Sequence, residues 1–154
     1  MTLAEILRLV HLVAVIVWLG GSFMLGIFFE RAQRSNDEAT VLGLTSMGEF
    51  VGKAVFNPAG IITLAAGIWL VIELDGIDFS EAWISLGFLG VALGAILGMA
   101  FYPKTLRRVQ AGIEADGLLS NETLGALRTL RLVSSLEWLF LIVIVWAMVF
   151  KPGA

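Results

Sequence analysis

Two ionisable residues lie where hydrocarbon is expected, and their types decide what chemistry the chain could perform. His11 is the only histidine, three residues after Arg8 at the start of the apolar run LRLVHLVAVIVWLGG. Neutral imidazole is an axial ligand for haem and a ligand for copper, and it is equally at home as an interfacial residue bonded to a carbonyl or carboxylate. One histidine cannot supply two ligands within one chain. A haem site would therefore be five-coordinate, take a methionine such as Met148 as sixth ligand, or form across a symmetric dimer, and a copper site would be short of donors. Trp18, two helical turns from His11, extends the same face and could wall a cofactor or fill the core. Arg8 is placed to pair with Glu73 or Glu5.

Glu137 is the second such residue. A carboxyl inside an apolar run is costly and turns inward to a partner or to water. It stands six residues beyond Arg131, about 9 Å along a helix axis. Glu49, Lys53 and Asn57 follow one another at intervals of four, on one helix face at a similar level. The expected arrangement is a buried polar cluster in which Glu137 pairs with Lys53 or bonds Asn57, with Tyr102 and Lys104 as next choices. A structural clamp and a proton or ligand site are both open uses of that cluster.

Such residues need a scaffold, and composition says which. Of 154 residues 58% are hydrophobic and 15% charged, and the mean hydropathy is +0.92. Those values suit an integral membrane protein rather than a water-soluble domain. The absence of cysteine excludes disulfides, thiolate metal sites, iron–sulfur clusters and covalently attached haem. Nothing resembles a nucleic-acid footprint. The N-terminus carries Glu5 beside Arg8 and lacks both the basic start and the small-residue cleavage site of a signal peptide, so it reads as a retained span.

Four stretches are long and apolar enough to cross about 30 Å of hydrocarbon: residues 9–29, 54–72, 82–102 and 132–150, the last interrupted only by Glu137. In lipid each must be helical. The expected fold is all-α, one integral membrane four-helix bundle, up and down, over residues 1–154. ELDGIDFSE, residues 73–81, holds four acids and no base, whereas eight of the ten Lys and Arg lie in the two longer connections. The positive-inside rule then places those connections in the cytoplasm and both termini outside the inner (plasma) membrane. The connections themselves read as amphipathic helical extensions, capped by Asn36 or Asp37 and by Ser120, with Asp116-Gly117 breaking the chain between a helix from Lys104 to Glu114 and the next.

Small residues organise the packing. Gly87, Gly90, Gly94 and Gly98 fall on one stripe of the third span, a pattern that lets another helix approach closely and could also admit a planar cofactor or a neighbouring subunit. Ser22 with Gly26, and Ala59 with Thr63 and Gly67, offer similar surfaces. Asn57-Pro58 predicts a kink at the start of the second span.

These residues carry a resemblance. His11, Trp18-x-Gly20-Gly21, Asn57-Pro58-Ala59-Gly60 with Thr63 and Gly67-Ile68-Trp69, and the ending Trp146-Ala-Met-Val-Phe-Lys-Pro-Gly resemble a family of predicted bacterial integral membrane proteins, the domain of unknown function numbered 2269. The likeness runs over nearly the whole chain, and its name implies no activity. A first-span histidine followed by Trp-x-Gly is also distantly similar to the copper-resistance D-type membrane proteins and the haem-containing protoporphyrinogen oxidases. That second likeness implies a haem or metal role for His11.

Three readings of function follow. The first is a small non-catalytic membrane protein, stand-alone or an accessory subunit of a larger membrane complex or homo-oligomer in the bilayer. The second is a haem b- or metal-binding redox protein with His11 as axial ligand. The third is a small proton-coupled transporter using Glu137.

Overall fold

The computed structural model describes residues 1–152; Gly153, which ends the terminal motif, lies outside the described residues. Among the described residues there are only helices and their connections. Helix α1, Leu3–Arg34, opens with a capping box: Thr2 N–H donates to Glu5 Oε2 at 2.8 Å and Glu5 N–H to Thr2 Oγ1 at 3.2 Å. Two backbone N–H groups that water would otherwise have to satisfy are closed locally. The chain turns at Asn36, which adopts a left-handed backbone (φ 53°), and Asp37 caps α2, Glu38–Val51, through the Thr40 N–H at 3.0 Å.

From Glu38 to Glu73 the helix never breaks. A π-helical turn, Gly52–Phe56, joins α2 to α3, Asn57–Glu73, and the Asn57 N–H reaches back to the Gly52 carbonyl. A second π-helical turn, Leu97–Phe101, joins α4, Ala82–Ile96, to α5, Tyr102–Asp116, and the Tyr102 N–H reaches the Leu97 carbonyl. Each π turn ends two residues before a proline, Pro58 or Pro103. Proline has no N–H for the carbonyl four residues back, and its ring crowds that carbonyl. A wider turn relieves the crowding and re-pairs the backbone, which is why Pro58 does not break the helix. The third span likewise runs on into the helix expected to begin separately at Lys104.

Gly117 ends α5 with φ 83°, a conformation that favours glycine, and Ser120 caps α6, Asn121–Phe150, by accepting from the Thr123 N–H at 3.2 Å. Four helical stretches are thus long and apolar enough to span a membrane: Leu3–Arg34, Glu38–Glu73, Ala82–Asp116 and Asn121–Phe150. Within the bundle α1 packs on α3, α3 on α4, α4 on α6 and α6 on α1, a closed ring in which neighbours alternate in direction.

The densest packing lies at one end of this ring, in a cap made by α2, α5, the first half of α6 and the end of α1. Val41, Val109 and Leu127 are sealed there among Phe29, Leu44, Leu106 and Ile113. Water around the cap makes each such burial favourable, by about 25 cal/mol per Å² of apolar surface. Ion pairs edge the cap. Arg107 Nε meets Glu49 Oε1 at 2.7 Å, and Glu30 is shared by Arg34 at 3.0 Å and Arg131 at 3.4 Å. The Arg34 hydrogen bond, with help from Arg131, holds the Glu30 carboxyl below the ordinary carboxylate range. At the other end, the termini end, the packed core is small: Trp83, Ile84 and Ala147.

At Gly112 α5 lies close against α6: a Cβ there would stand 2.5 Å from Thr123 Oγ1, a hydroxyl already bonded to Ser120. Gly112→Val should therefore destabilise the cap by about 1–3 kcal/mol, read as a lower midpoint of thermal unfolding in mild detergent. Gly125 sits on the exposed face of α6 with nothing within 4 Å. Gly125→Ala, the matched control, should raise that midpoint slightly.

Candidate functional site

The four spans do not fill the space between them. Two cavities follow one another along the ring, one of about 480 Å³ toward the termini end and one of about 380 Å³ toward the cap. Trp18, Leu64 and Val91 line both. The Trp18 indole is seated on Gly94, where a Cβ would strike it, at the junction of the two cavities.

The glycine stripe of α4 is the floor of both. A side chain at Gly87 would run into Met148, at Gly90 into Ile144, and at Gly98 into the Asn57 Oδ1 at 3.3 Å. Close approach of one helix was the expectation. The stripe receives side chains from three helices: Met148 and Ile144 of α6 at Gly87 and Gly90, Trp18 of α1 at Gly94 and Asn57 of α3 at Gly98.

His11 lines the termini-side cavity with Met148 and Trp18. Its Nδ1 lies 2.9 Å from the Thr63 carbonyl oxygen. A carbonyl can only accept, so Nδ1 carries a proton and, in the neutral ring, Nε2 holds the lone pair. Nε2 makes no hydrogen bond among the described residues, and the fully enclosed, unpartnered polar side-chain atom found there is a different one, Thr63 Oγ1. Gly67, one turn further along α3, makes the room: a Cβ there would stand 3.2 Å from His11 Cε1.

Two cations, Arg8 and Lys151, line the same cavity. Lys151 Nζ sits 5.1 Å from the centre of the Trp83 ring, whose Nε1–H donates to Glu81 at 2.9 Å. The expected partners of Arg8 are engaged elsewhere or out of reach. Glu5 closes the capping box at Thr2, and Arg8 forms no ion pair among the described residues.

The cap-side cavity holds the second ionisable group. Glu137 is 6% exposed, and its Oε2 accepts from the Tyr102 hydroxyl. Lys53 and Asn57 line this cavity as their spacing predicted, but neither bonds Glu137. The correction has a physical cause. Lys53 keeps its ammonium exposed, as long basic side chains do near a span end, and the buried carboxyl takes an uncharged donor instead. Lys104 is exposed as well. Phe56 and Trp138 form the aromatic walls, seated on Gly21 and Gly26, where a Cβ would stand 2.7 Å and 2.9 Å from the respective rings. Nothing in the spacing of Phe56, Trp138 or Lys151 singled them out in the sequence; the two α1 glycines were the only local hint.

Tyr102→Phe leaves the buried carboxyl without its donor and should cost about 1–3 kcal/mol of stability in detergent. Lys53→Met should change the stability by no more than about 0.5 kcal/mol, as for an exposed position. The reverse ranking would make Lys53 the true partner of Glu137.

No curated protein and no solved structure matches the chain. Residues 5–152 match DUF2269, described as a predicted integral membrane protein. That match takes in His11, Trp18, Glu137 and Met148 together with both π turns, and its description agrees with four helices able to span a bilayer. The chain belongs to the DUF2269 family of predicted integral membrane proteins.

Proposed function

We propose that this protein binds haem b in its termini-side cavity, with His11 Nε2 as the axial ligand. The observation that carries the reading is the 2.9 Å contact of His11 Nδ1 with the Thr63 carbonyl. Histidines that ligate metals commonly tie their other nitrogen to a carbonyl or carboxylate, which fixes ring and tautomer and raises the basicity of the ligating atom.

The surrounding residues fit the group. Met148, in the same cavity, would offer a thioether, Trp18 and Ile144 apolar walls, and Arg8 and Lys151 charge for two propionates. A bare metal ion fits less well. Among the described residues no three His, Cys, Asp or Glu side chains converge, whereas haem brings four nitrogen donors of its own. Bound haem would supply one-electron chemistry. The chain's part is to orient the ring, exclude water and neutralise the carboxylates.

The same reading sets the protein in the plasma membrane with both termini outside the cytoplasm, supported by the basic residues gathered at the cap: Arg31, Arg34, Arg107, Arg108, Arg128 and Arg131. It also leaves room for a second copy or a larger complex around the bundle.

Purified in mild detergent and titrated with haemin, the protein should show a Soret band that His11→Ala abolishes and Met148→Leu shifts in the reduced state. A colourless protein that takes up no haemin would overturn the reading and leave a non-catalytic bundle. Because the chain has no cysteine, single cysteines test orientation cleanly. An impermeant maleimide added to intact cells should label Asp75→Cys and spare Arg108→Cys until the cells are opened; the opposite pattern would invert the topology.

A further inference from the structure

The cap-side cavity has no part in that haem reading, yet it is built around a charge-bearing group with unspent capacity. Three carboxyls line it: Glu30, Glu49 and Glu137. Glu30 is held by Arg34 and Arg131, and Glu49 by Arg107. Glu137 alone has no cation, although it is the most deeply buried, and the phenol of Tyr102 occupies only Oε2. The other titratable groups around the cavity do not supply one. Lys53 is exposed and Arg131 is turned to Glu30.

Four aromatic residues line the cavity with this carboxyl: Trp18, Phe56, Tyr102 and Trp138. Aromatic faces attract cations, the more so where water is excluded. An anion would meet the Glu137 carboxylate, and a neutral ligand would gain nothing from the rings beyond contact. The cavity also borders the bilayer. Ile61 of α3 and Met99 of the second π turn line it, and each is 68% exposed on the outer surface of the ring. A molecule that fits must therefore tolerate hydrocarbon on one side.

We infer that the cap-side cavity is a binding site for a lipophilic organic cation, an ammonium or phosphonium with apolar substituents, held by Glu137 against Trp18, Phe56 and Trp138. The paired π turns help to build it. Gly52, Lys53 and Phe56 from one and Gly98 and Met99 from the other all border the cavity.

Tetraphenylphosphonium is a suitable probe, followed by quenching of tryptophan fluorescence in the detergent-solubilised full chain. Saturable binding is expected, weakened at least tenfold by Glu137→Gln and changed less than threefold by His11→Ala. The His11 variant keeps this test separate from the haem reading. Neutral triphenylphosphine oxide should bind at least tenfold more weakly than the cation. Equal affinity of the two probes, or unchanged affinity in Glu137→Gln, would reduce the site to a greasy void and overturn the inference. Should Glu137→Gln fail to fold, the wild-type protein decides. Tetraphenylphosphonium should block labelling of Glu137 by dicyclohexylcarbodiimide, mapped by mass spectrometry, and labelling that proceeds undiminished refutes the site.

Discussion

An apolar side chain surrounded by lipid gains little by moving against another helix, because hydrocarbon is as good a neighbour as leucine. Most features of this protein answer to that constraint. Where water is present, at the cap, α2, α5 and α6 seal Val41, Val109 and Leu127 completely. Between the spans no such force operates, and what holds them is shape: indole, phenyl and thioether groups set into glycine hollows. The cap thus clamps one end of a ring whose interior is free to remain hollow. Cavities are affordable in the membrane layer in a way they would not be in a water-soluble core of the same size, where each void subtracts directly from a small stability.

Backbone hydrogen bonding is the second consequence of the same solvent. A proline in a span would leave a carbonyl unpaired in hydrocarbon, so both Pro58 and Pro103 are preceded by a turn of π-helix that restores pairing without ending the helix. These turns carry Lys53 and Phe56, Gly98 and Met99, at the level of Glu137. A device required by backbone chemistry also shapes the cap-side cavity, and π turns are frequent at functional positions for this kind of reason.

Polar groups in the bundle are arranged as two separate stations with Trp18 between them. On one side His11 is oriented by a backbone carbonyl and accompanied by cations; on the other Glu137 is oriented by a phenol and accompanied by aromatic rings. Their surroundings suit opposite ligands. Arg8 and Lys151 favour carboxylates at the termini end, while an unpaired carboxyl favours a cation near the cap. A single small bundle thereby holds two chemically distinct cavities, with Trp18, seated on Gly94, lining both.

The amino-acid sequence alone determined the class of molecule: four hydrocarbon-length runs, bounded by charges and capped by Thr2, Asp37 and Ser120, leave no alternative to membrane helices, since capping and hydropathy act over a few neighbouring residues. It also marked His11 and Glu137, because an ionisable group in such a run is conspicuous without any coordinates. Partners were another matter. That Glu137 takes Tyr102 rather than Lys53, that His11 turns to Thr63, and that the glycine stripe seats side chains from three helices depend on how residues far apart in the chain are brought together. Two π turns widen the helices at the level concerned, so counting residues at 3.6 per turn does not carry across them. Only the closed ring of four spans could decide which side chains face one another across its cavities.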